Sequence, residues 1–322
     1  MKILVTPTSF SRESTPEAWK TLEQFATDIV LNPYGRPLTE KELIRLLEDV
    51  DGYIAGVDDV SAEVIAHAPE SLKVISRYGV GYDQVDIKAC GQRGIIVTNT
   101  PEVNAESVAD LAFGLMLSAA RRIPSADRQT RQGGWPRMTG VELYNKTLGI
   151  IGLGAIGKRV ARRAKGFSMR VLAYDPWIDT SFCERYQITI SSFEEVIACS
   201  DFISLHMPLT SETRHIINSD TINKMKDGVI LVNTARGGLI DEQAVYNGLR
   251  SGKLGGLGLD VFEAEPPGSS LLFEMDNVVV TPHMASSTKE AQNKMGNLAV
   301  QNLIDVLTGK DCPYIVNSQY LK

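Results

Sequence analysis

Short β-branched runs alternate along this chain with stretches whose apolar residues recur every third or fourth position, the pattern of parallel strands covered by helices. The runs predict two sets of strands. The first reads Lys2–Val5, Asp28–Leu31, Gly52–Gly56, Val74–Arg77 and Ile95–Val97. The second reads Leu148–Ile151, Arg170–Tyr174, Ile188–Ile190, Phe202–Leu205, Gly228–Val232, Gly256–Leu259 and Asn277–Thr281. Two sets of parallel strands predict two sheets and two domains.

Helix starts are marked as well. Thr39, with Glu42 three residues on, forms a capping box ahead of Leu43, Leu46 and Leu47. Asn104–Arg122 carries apolar residues at 108, 111, 112, 115 and 119, with Phe113, Met116 and Leu117 on other faces, so this helix must be buried on most sides. A second capping box, Ser287 with Glu290, predicts a helix running to about Leu307 and ending before Gly309. Too little chain follows it for another domain. The helix is therefore expected to return to the N-terminal sheet, giving a discontinuous domain of 1–98 with 287–322 around an inserted domain of 99–286. The predicted architecture is α/β: two doubly wound parallel-sheet domains, a dinucleotide-binding one of Rossmann type inserted in a flavodoxin-like one.

Composition narrows the class. At 322 residues the chain suits two domains, and 43% hydrophobic with 22% charged residues is the balance of a soluble globular enzyme. Lys+Arg 33 against Asp+Glu 39 gives a net charge of −6, which argues against nucleic acid as a partner. The longest apolar uncharged stretch, Leu111–Ala120, is about half of what spans a bilayer, so no membrane association is expected. Lys2–Val5 is followed at once by Thr6-Pro7-Thr8, too short an apolar region for a signal peptide. Cys90, Cys183, Cys199 and Cys312 form no CxxC pair, which fits a reducing cytoplasm rather than a disulfide or zinc scaffold.

The chemistry begins at the predicted strand ending in Ile151. Gly152-Leu153-Gly154-Ala155-Ile156-Gly157 follows it, and 158–167 reads as a helix. Gly152 serves the tight turn, Gly154 lets backbone N–H groups approach a pyrophosphate, and Gly157 lets helix and strand pack closely. The next strand ends at Asp175, 18 residues past Gly157 (175 − 157), where a carboxylate bonds the adenosine ribose. With Pro176 and Trp177 next, no arginine is at hand for a 2′-phosphate, so NAD is favoured over NADP.

Three further predicted strands end in chemistry. Asn233-Thr234-Ala235-Arg236 closes one, Leu259-Asp260-Val261-Phe262-Glu263-Ala264-Glu265-Pro266 leaves the second, and Thr281-Pro282-His283 ends the third. Reduction of a 2-keto acid by hydride needs this set. A guanidinium holds the substrate carboxylate and polarises the keto oxygen. An imidazolium protonates that oxygen and acts as base in reverse. A carboxylate beside the imidazole orients it and stabilises its protonated form. Spacing alone leaves Glu263 and Glu265 as equal candidates for that carboxylate. Of the other histidines, His206 ends a strand facing the cofactor, while His67 and His215 read as solvated and structural. No histidine spacing indicates a metal site.

Taken in order, Gly152–Gly157 with Asp175, Asn233–Gly238, Leu259–Phe262 with Glu265-Pro266, and Thr281-Pro282-His283 resemble the D-isomer-specific 2-hydroxyacid dehydrogenase family over nearly the whole chain. Gly140-Val141-Glu142-Leu143 and Lys146–Gly149 resemble its D-3-phosphoglycerate dehydrogenase branch. The resemblance implies catalysis by Arg236, Glu265 and His283, leaving Glu263 aside. It implies cofactor contacts from Gly152, Gly154, Ala155, Ile156, Gly157, Asp175, Met207, Thr213, Thr234, Ala235 and Asp260. It implies substrate contacts from Tyr78, Gly79, Val80, Asn104 and Arg236, with Asn104 equally suited to cap a helix. It implies NAD as cofactor and a homodimer or homotetramer assembled through the NAD domain.

Two departures bear on the substrate. In the loop after the third strand, where phosphoglycerate dehydrogenases usually place an arginine, this chain has Ile54-Ala55-Gly56-Val57-Asp58-Asp59. Arg137 in Gly133–Met138 keeps a cation where that branch offers basic residues, and a regulatory domain after the last helix is not expected. The resemblance puts 3-phosphoglycerate and 3-phosphohydroxypyruvate first, then glyoxylate, hydroxypyruvate or another D-2-hydroxy acid. A non-catalytic NAD-sensing protein like the C-terminal binding co-repressors is the second class. Formate dehydrogenase is disfavoured because Glu265 is ionisable where that branch has Gln.

Overall fold

In the computed structural model, which describes residues 1–321, the chain divides into two units: Met1–Asn104 with the segment from Ser286, and Ala105–Ala285. The first crossing thus falls after 104 rather than after 98, and the second at 286 rather than 287.

The chain runs β1 (Lys2–Val5), α1 (Pro16–Phe25), β2 (Asp28–Leu31), α2 (Glu40–Leu46), β3 (Gly52–Ala55), α3 (Ala62–Ala66), β4 (Val74–Arg77), α4 (Ile87–Gln92) and β5 (Ile96–Thr98). Then follow α5 (Ala105–Arg121), α6 (Ile123–Arg131), β6 (Thr147–Ile151), α7 (Ala155–Ala164), β7 (Arg170–Tyr174), α8 (Thr180–Tyr186), β8 (Thr189–Ile190) and α9 (Phe193–Cys199). The rest is β9 (Phe202–Leu205), α10 (Ser219–Lys224), β10 (Val229–Asn233), α11 (Glu242–Ser251), β11 (Leu254–Leu259), β12 (Val278–Val280) and α12 (Lys289–Leu307).

The first unit holds a five-stranded parallel sheet in the order β2-β1-β3-β4-β5, the flavodoxin-like order, whose switch point lies between β1 and β3. The Thr39–Glu42 capping box forms as predicted and starts α2. α12 buries Ala291, Met295, Ala299, Val300 and Leu303 against Ile3, Val5, Ile54 and Val74, so the last helix does return to the N-terminal sheet. Its cap is Thr288, whose side chain accepts from the Ala291 N–H, and not Ser287. The helix begins one turn position later than the Ser287 box requires.

The second unit holds seven parallel strands in the order β12-β11-β10-β9-β6-β7-β8. Read from β8, this is the dinucleotide-binding order with one strand added, and its switch point lies between β6 and β9. α5 buries ten of its residues, including Val108, Ala112, Phe113, Leu115, Met116 and Ala119. Leu115 and Ala119 lie on the glycines of β11: a Cβ on Gly258 would stand 2.8 Å from Leu115 Cβ, so the strand is glycine-rich because the helix sits directly on it. Arg122 takes a left-handed conformation (φ 53°), which ends α5 and turns the chain into α6, a helix the apolar pattern did not reveal. α7 begins at Ala155, three residues before the predicted onset, because Gly154 is its N-cap.

Candidate active site

All seven strands of the larger sheet run parallel, so their carboxyl ends share one edge, where open α/β sheets bind ligands. At the switch point β6 leads into Gly152 and β9 into His206. Gly152 has φ +98°, and a Cβ there would lie 2.6 Å from the His206 carbonyl carbon, so only glycine permits this approach. A Cβ on Gly157 would lie 2.1 Å from the Gly152 carbonyl oxygen, which fixes α7 against the loop. Gly154 is different: nothing lies within 4 Å of where its Cβ would stand. Its neighbourhood is open space in front of the α7 N-terminus, where free backbone N–H groups suit an anion.

The surrounding polar atoms fit a dinucleotide. Asp175, at the end of β7, accepts from the Leu153 N–H through Oδ2 (2.7 Å) and from Trp177 N–H through Oδ1 (2.8 Å), which holds the carboxylate against the glycine loop. Thr234 Oγ1 and His206 Nδ1 are buried with no hydrogen-bond partner among the described residues, two orphaned groups of the kind a bound ligand satisfies. The other ring nitrogen of His206 sits 2.8 Å from Ser204 Oγ, and burial lowers its pKa to about 3, so the ring is neutral. Met207 is buried beside it. Thr213 is spent on its own loop, donating to Pro208 O (2.8 Å) and accepting from Thr210 N–H (2.7 Å). Ala155 and Ile156 form the first turn of α7.

Three adjacent strands supply the catalytic candidates. Asn233 pairs in register with Leu259, and Leu259 with Val280, so residues following them emerge side by side. Asn233 shapes the Arg236 turn: its Nδ2 donates to Arg236 O (2.7 Å) and its Oδ1 accepts from Ala235 N–H (3.0 Å). Arg236 Nη1 donates to Ala235 O at 2.7 Å, and the following Gly237 admits no Cβ, which would come within 1.9 Å of the Phe262 carbonyl.

His283 has φ +50°, an unusual conformation for a histidine, held by its N–H donating to Asp260 O at 2.8 Å. Its Nδ1 meets Glu265 Oε2 at 2.6 Å, while Glu265 Oε1 accepts from Phe262 N–H at 3.1 Å. Burial pushes the Glu265 carboxyl up, yet the His283 hydrogen bond and charge, the Phe262 N–H and the Arg236 charge outweigh it and leave the pKa below its ordinary value. Asp260 is fully buried. Its Oδ1 accepts from Thr281 Oγ1 (2.6 Å) and Met284 N–H (2.8 Å), and its Oδ2 from Ala285 N–H (2.9 Å).

The two glutamates that spacing left equal now separate. The Glu263 carboxylate accepts from the Glu242 N–H (3.0 Å) at the start of α11, the Glu242 carboxylate accepts in turn from the Glu263 N–H (2.9 Å), and Glu263 stands 3.3 Å from His215, away from the His283 ring.

The candidate substrate residues Tyr78, Gly79 and Val80 leave β4 in the first unit. Gly79 has φ +152°; its carbonyl accepts from Thr100 N–H (3.0 Å), and the Val80 carbonyl accepts from Asn99 Nδ2 (2.8 Å). Tyr78 is buried, donates to Gln292 O (3.2 Å), and has its phenol pushed up to about 12 by burial. Asn104 does not act as a side-chain cap: its Oδ1 is buried and accepts no hydrogen bond. Two buried groups of this unit escaped the sequence reading, the Asp58 carboxylate and the Arg77 guanidinium. Nothing in apolar periodicity marks either one.

Residues 113–285 match the family described as D-isomer specific 2-hydroxyacid dehydrogenase, NAD binding domain. The chain is 45% identical over 284 residues, 87% of its length, to the D-3-phosphoglycerate dehydrogenase of Methanocaldococcus jannaschii, of which it spans about half (54%). It is 42% identical over 294 residues to the glyoxylate reductase of Korarchaeum cryptofilum, covering 89% of this chain and 88% of that one. Among solved structures, the D-lactate dehydrogenase of Aquifex aeolicus complexed with NAD and lactic acid superposes with a TM-score of 0.84 at 31% identity, covering 98% of this chain and 99% of the other.

Proposed function

The chain belongs to the D-isomer-specific 2-hydroxyacid dehydrogenase family, and on that premise we propose that it interconverts a D-2-hydroxy acid and its 2-keto acid with NAD. The observation that carries this reading is the 2.6 Å contact of His283 with Glu265, on the strand ends that also present Arg236. Bound NAD(H) supplies the hydride acceptor or donor. Arg236 holds the substrate carboxylate and draws electron density from the keto oxygen. With Nδ1 engaged by Glu265, the His283 Nε2 is the atom that gives a proton to that oxygen on reduction and takes it back on oxidation. Glu265 holds the ring and stabilises its charged form. Tyr78–Val80 and Asn104 are assigned to the substrate. Asp175 favours NAD over NADP, because its carboxylate repels a 2′-phosphate.

The names of relatives offer two substrate sets, 3-phosphoglycerate with its keto acid and glyoxylate with hydroxypyruvate. We assign the chain as a homodimer or a higher oligomer, supported by Ile123, Trp135, Val141 and Tyr144, apolar side chains exposed in one segment of the NAD-binding unit, Trp135 by 84%. The test is NADH oxidation against a panel of 2-keto acids. Reduction of at least one at about 1 per second or faster supports the enzyme, and no turnover on any acid by a preparation that binds NADH supports the NAD-sensing alternative.

A further inference from the structure

Three loops leave neighbouring strand ends of the larger sheet: 206–218 after β9, 234–241 after β10 and 260–277 after β11. The second carries Arg236 and the third Glu265. Leu205 pairs with Asn233 and Asn233 with Leu259, so the loops start level with one another. Farther out, the β9 loop meets the other two through His215. Its N–H donates to Gly238 O at 2.8 Å, two residues beyond Arg236, and Ile217 continues the contact as a parallel bridge to Ile240. The His215 ring extends to the third loop, where Nε2 stands 3.3 Å from Glu263 Oε2, two residues before Glu265. One residue thus touches both the loop of the guanidinium and the loop of the glutamate.

The turn itself does not call for an imidazole. His215 has φ +52°, a conformation that glycine and asparagine adopt at least as easily. The ring is partly exposed, yet its Nε2 is closed off from solvent and has no aligned hydrogen-bond partner among the described residues. A shielded ring nitrogen at ion-pair distance from a carboxylate, but out of line with it, is a contact that a small loop shift completes.

Glu263 passes the constraint on. Its Oε1 accepts from Glu242 N–H (3.0 Å) and its own N–H donates to the Glu242 carboxylate (2.9 Å), which ties residue 263 to the start of α11. On the other side, a Cβ on Gly237 would lie 2.4 Å from the Glu263 nitrogen, so the Arg236 and Glu265 loops press together here. Phe262, the preceding residue, supplies the N–H that Glu265 Oε1 accepts from (3.1 Å). Displacing Glu263 therefore moves the donor that holds Glu265 beside His283.

Resting on the reading that this chain reduces 2-keto acids, we propose that His215 is a positioning residue for the reaction: through Gly238 and Glu263 it fixes the Arg236 and Glu265 loops relative to one another. It acts through those two neighbours rather than on a reacting atom.

Steady-state kinetics and thermal melting of variants of the full chain, with NADH and the best 2-keto acid of the panel, test this. His215→Asn keeps the left-handed turn and the main-chain bond to Gly238 but is too short to reach Glu263. It should melt within about 2 °C of wild type while kcat falls about tenfold and KM for NADH changes by less than about threefold. His215→Gln places an amide N–H near the position of Nε2 and should return kcat to within about twofold of wild type. Glu263→Ala cuts the tie from its other end and should lower kcat at least as far. Adding His215→Asn to it should cost nothing further.

Equal kcat for the Asn and Gln variants overturns the inference, as does a loss in the double variant equal to the product of the two single losses. So does a fall in kcat that follows a matching fall in Tm. Wild-type turnover by Glu263→Ala overturns it even where the His215 variants do not fold. In each of these cases an active wild type leaves the dehydrogenase reading standing. No turnover by the wild type on any 2-keto acid overturns that reading, and the inference with it.

Discussion

Asp260 and His283 are joined by a main-chain hydrogen bond, His283 N–H to Asp260 O at 2.8 Å, while the Asp260 carboxylate reaches past the histidine to the N–H groups of Met284 and Ala285. The histidine is therefore gripped from both sides of its own peptide. Burial raises the Asp260 pKa, opposed by the hydrogen bonds it accepts and by the His283 charge. Asn at this position keeps one acceptor but turns an N–H toward a donor. Asp260→Asn should lower Tm and slow turnover even on saturating substrate, since each hydrogen bond to a buried charged group is worth about 1.5–3 kcal/mol. Thermal melting and steady-state kinetics of the variant check this; a variant matching wild type in both removes Asp260 from the scaffold of the site.

Replacing the imidazole separates chemistry from binding. His283→Ala should lower kcat by roughly 10²–10⁴ while NADH affinity, read by fluorescence titration, stays within about twofold. A variant with full turnover would mean that another group moves the proton.

The Glu265–His283 pair predicts a pH dependence with a definite sign. The folded Glu265 carboxyl lies below its ordinary value, so its contribution to stability is fully present above the unfolded pKa of 4.5 and is lost as pH falls through the folded value. The difference in Tm between wild type and Glu265→Gln should shrink as pH falls from 4.5 toward 3. Half-exposure of the pair keeps the effect modest. A difference that does not change with pH would show that the glutamate gains nothing from the histidine on folding.

Most of the fold was legible because its strands are written in β-branched runs and its turns in glycine. Lys2–Val5, Asp28–Leu31, Val74–Arg77, Arg170–Tyr174 and Phe202–Leu205 form as strands with the predicted ends. The edges of other elements moved where packing outweighed local signal. Leu254 and Gly255 extend β11 toward its N-terminus, and Thr288 caps α12 in place of Ser287. The candidate catalytic groups were legible because each follows a strand in a parallel sheet, where topology alone collects them at one edge. Glu263 and Glu265 could not be told apart by spacing, since which one turns back to His283 depends on the path of an irregular loop. Asp58 and Arg77 were illegible as buried charges for a related reason. Burial of a charge depends on partners 5 to 52 residues away, such as Tyr53 and Thr6, that no periodicity announces.

The glycine loop gives the last test. Gly157 lies in α7 with its α-carbon facing Gly152, and a methyl group there would stand 2.1 Å from the Gly152 carbonyl oxygen, far inside van der Waals contact. The obstacle is backbone, so no side-chain rotation relieves it. Gly157→Ala must push α7 outward or unseat the Gly152 turn, whose own φ of +98° leaves it no other residue to become. Overpacking of this kind costs about 1–3 kcal/mol, occasionally more, and it falls on the loop proposed to approach a pyrophosphate. At Gly154, in contrast, a methyl meets none of the described residues beyond its chain neighbours within 4 Å, so Gly154→Ala should melt close to wild type while losing dinucleotide affinity. Melting curves with and without NADH separate the two outcomes: Gly157→Ala falls in both, Gly154→Ala only in the NADH-dependent increment. Equal behaviour of the two variants would place the dinucleotide elsewhere than on this loop.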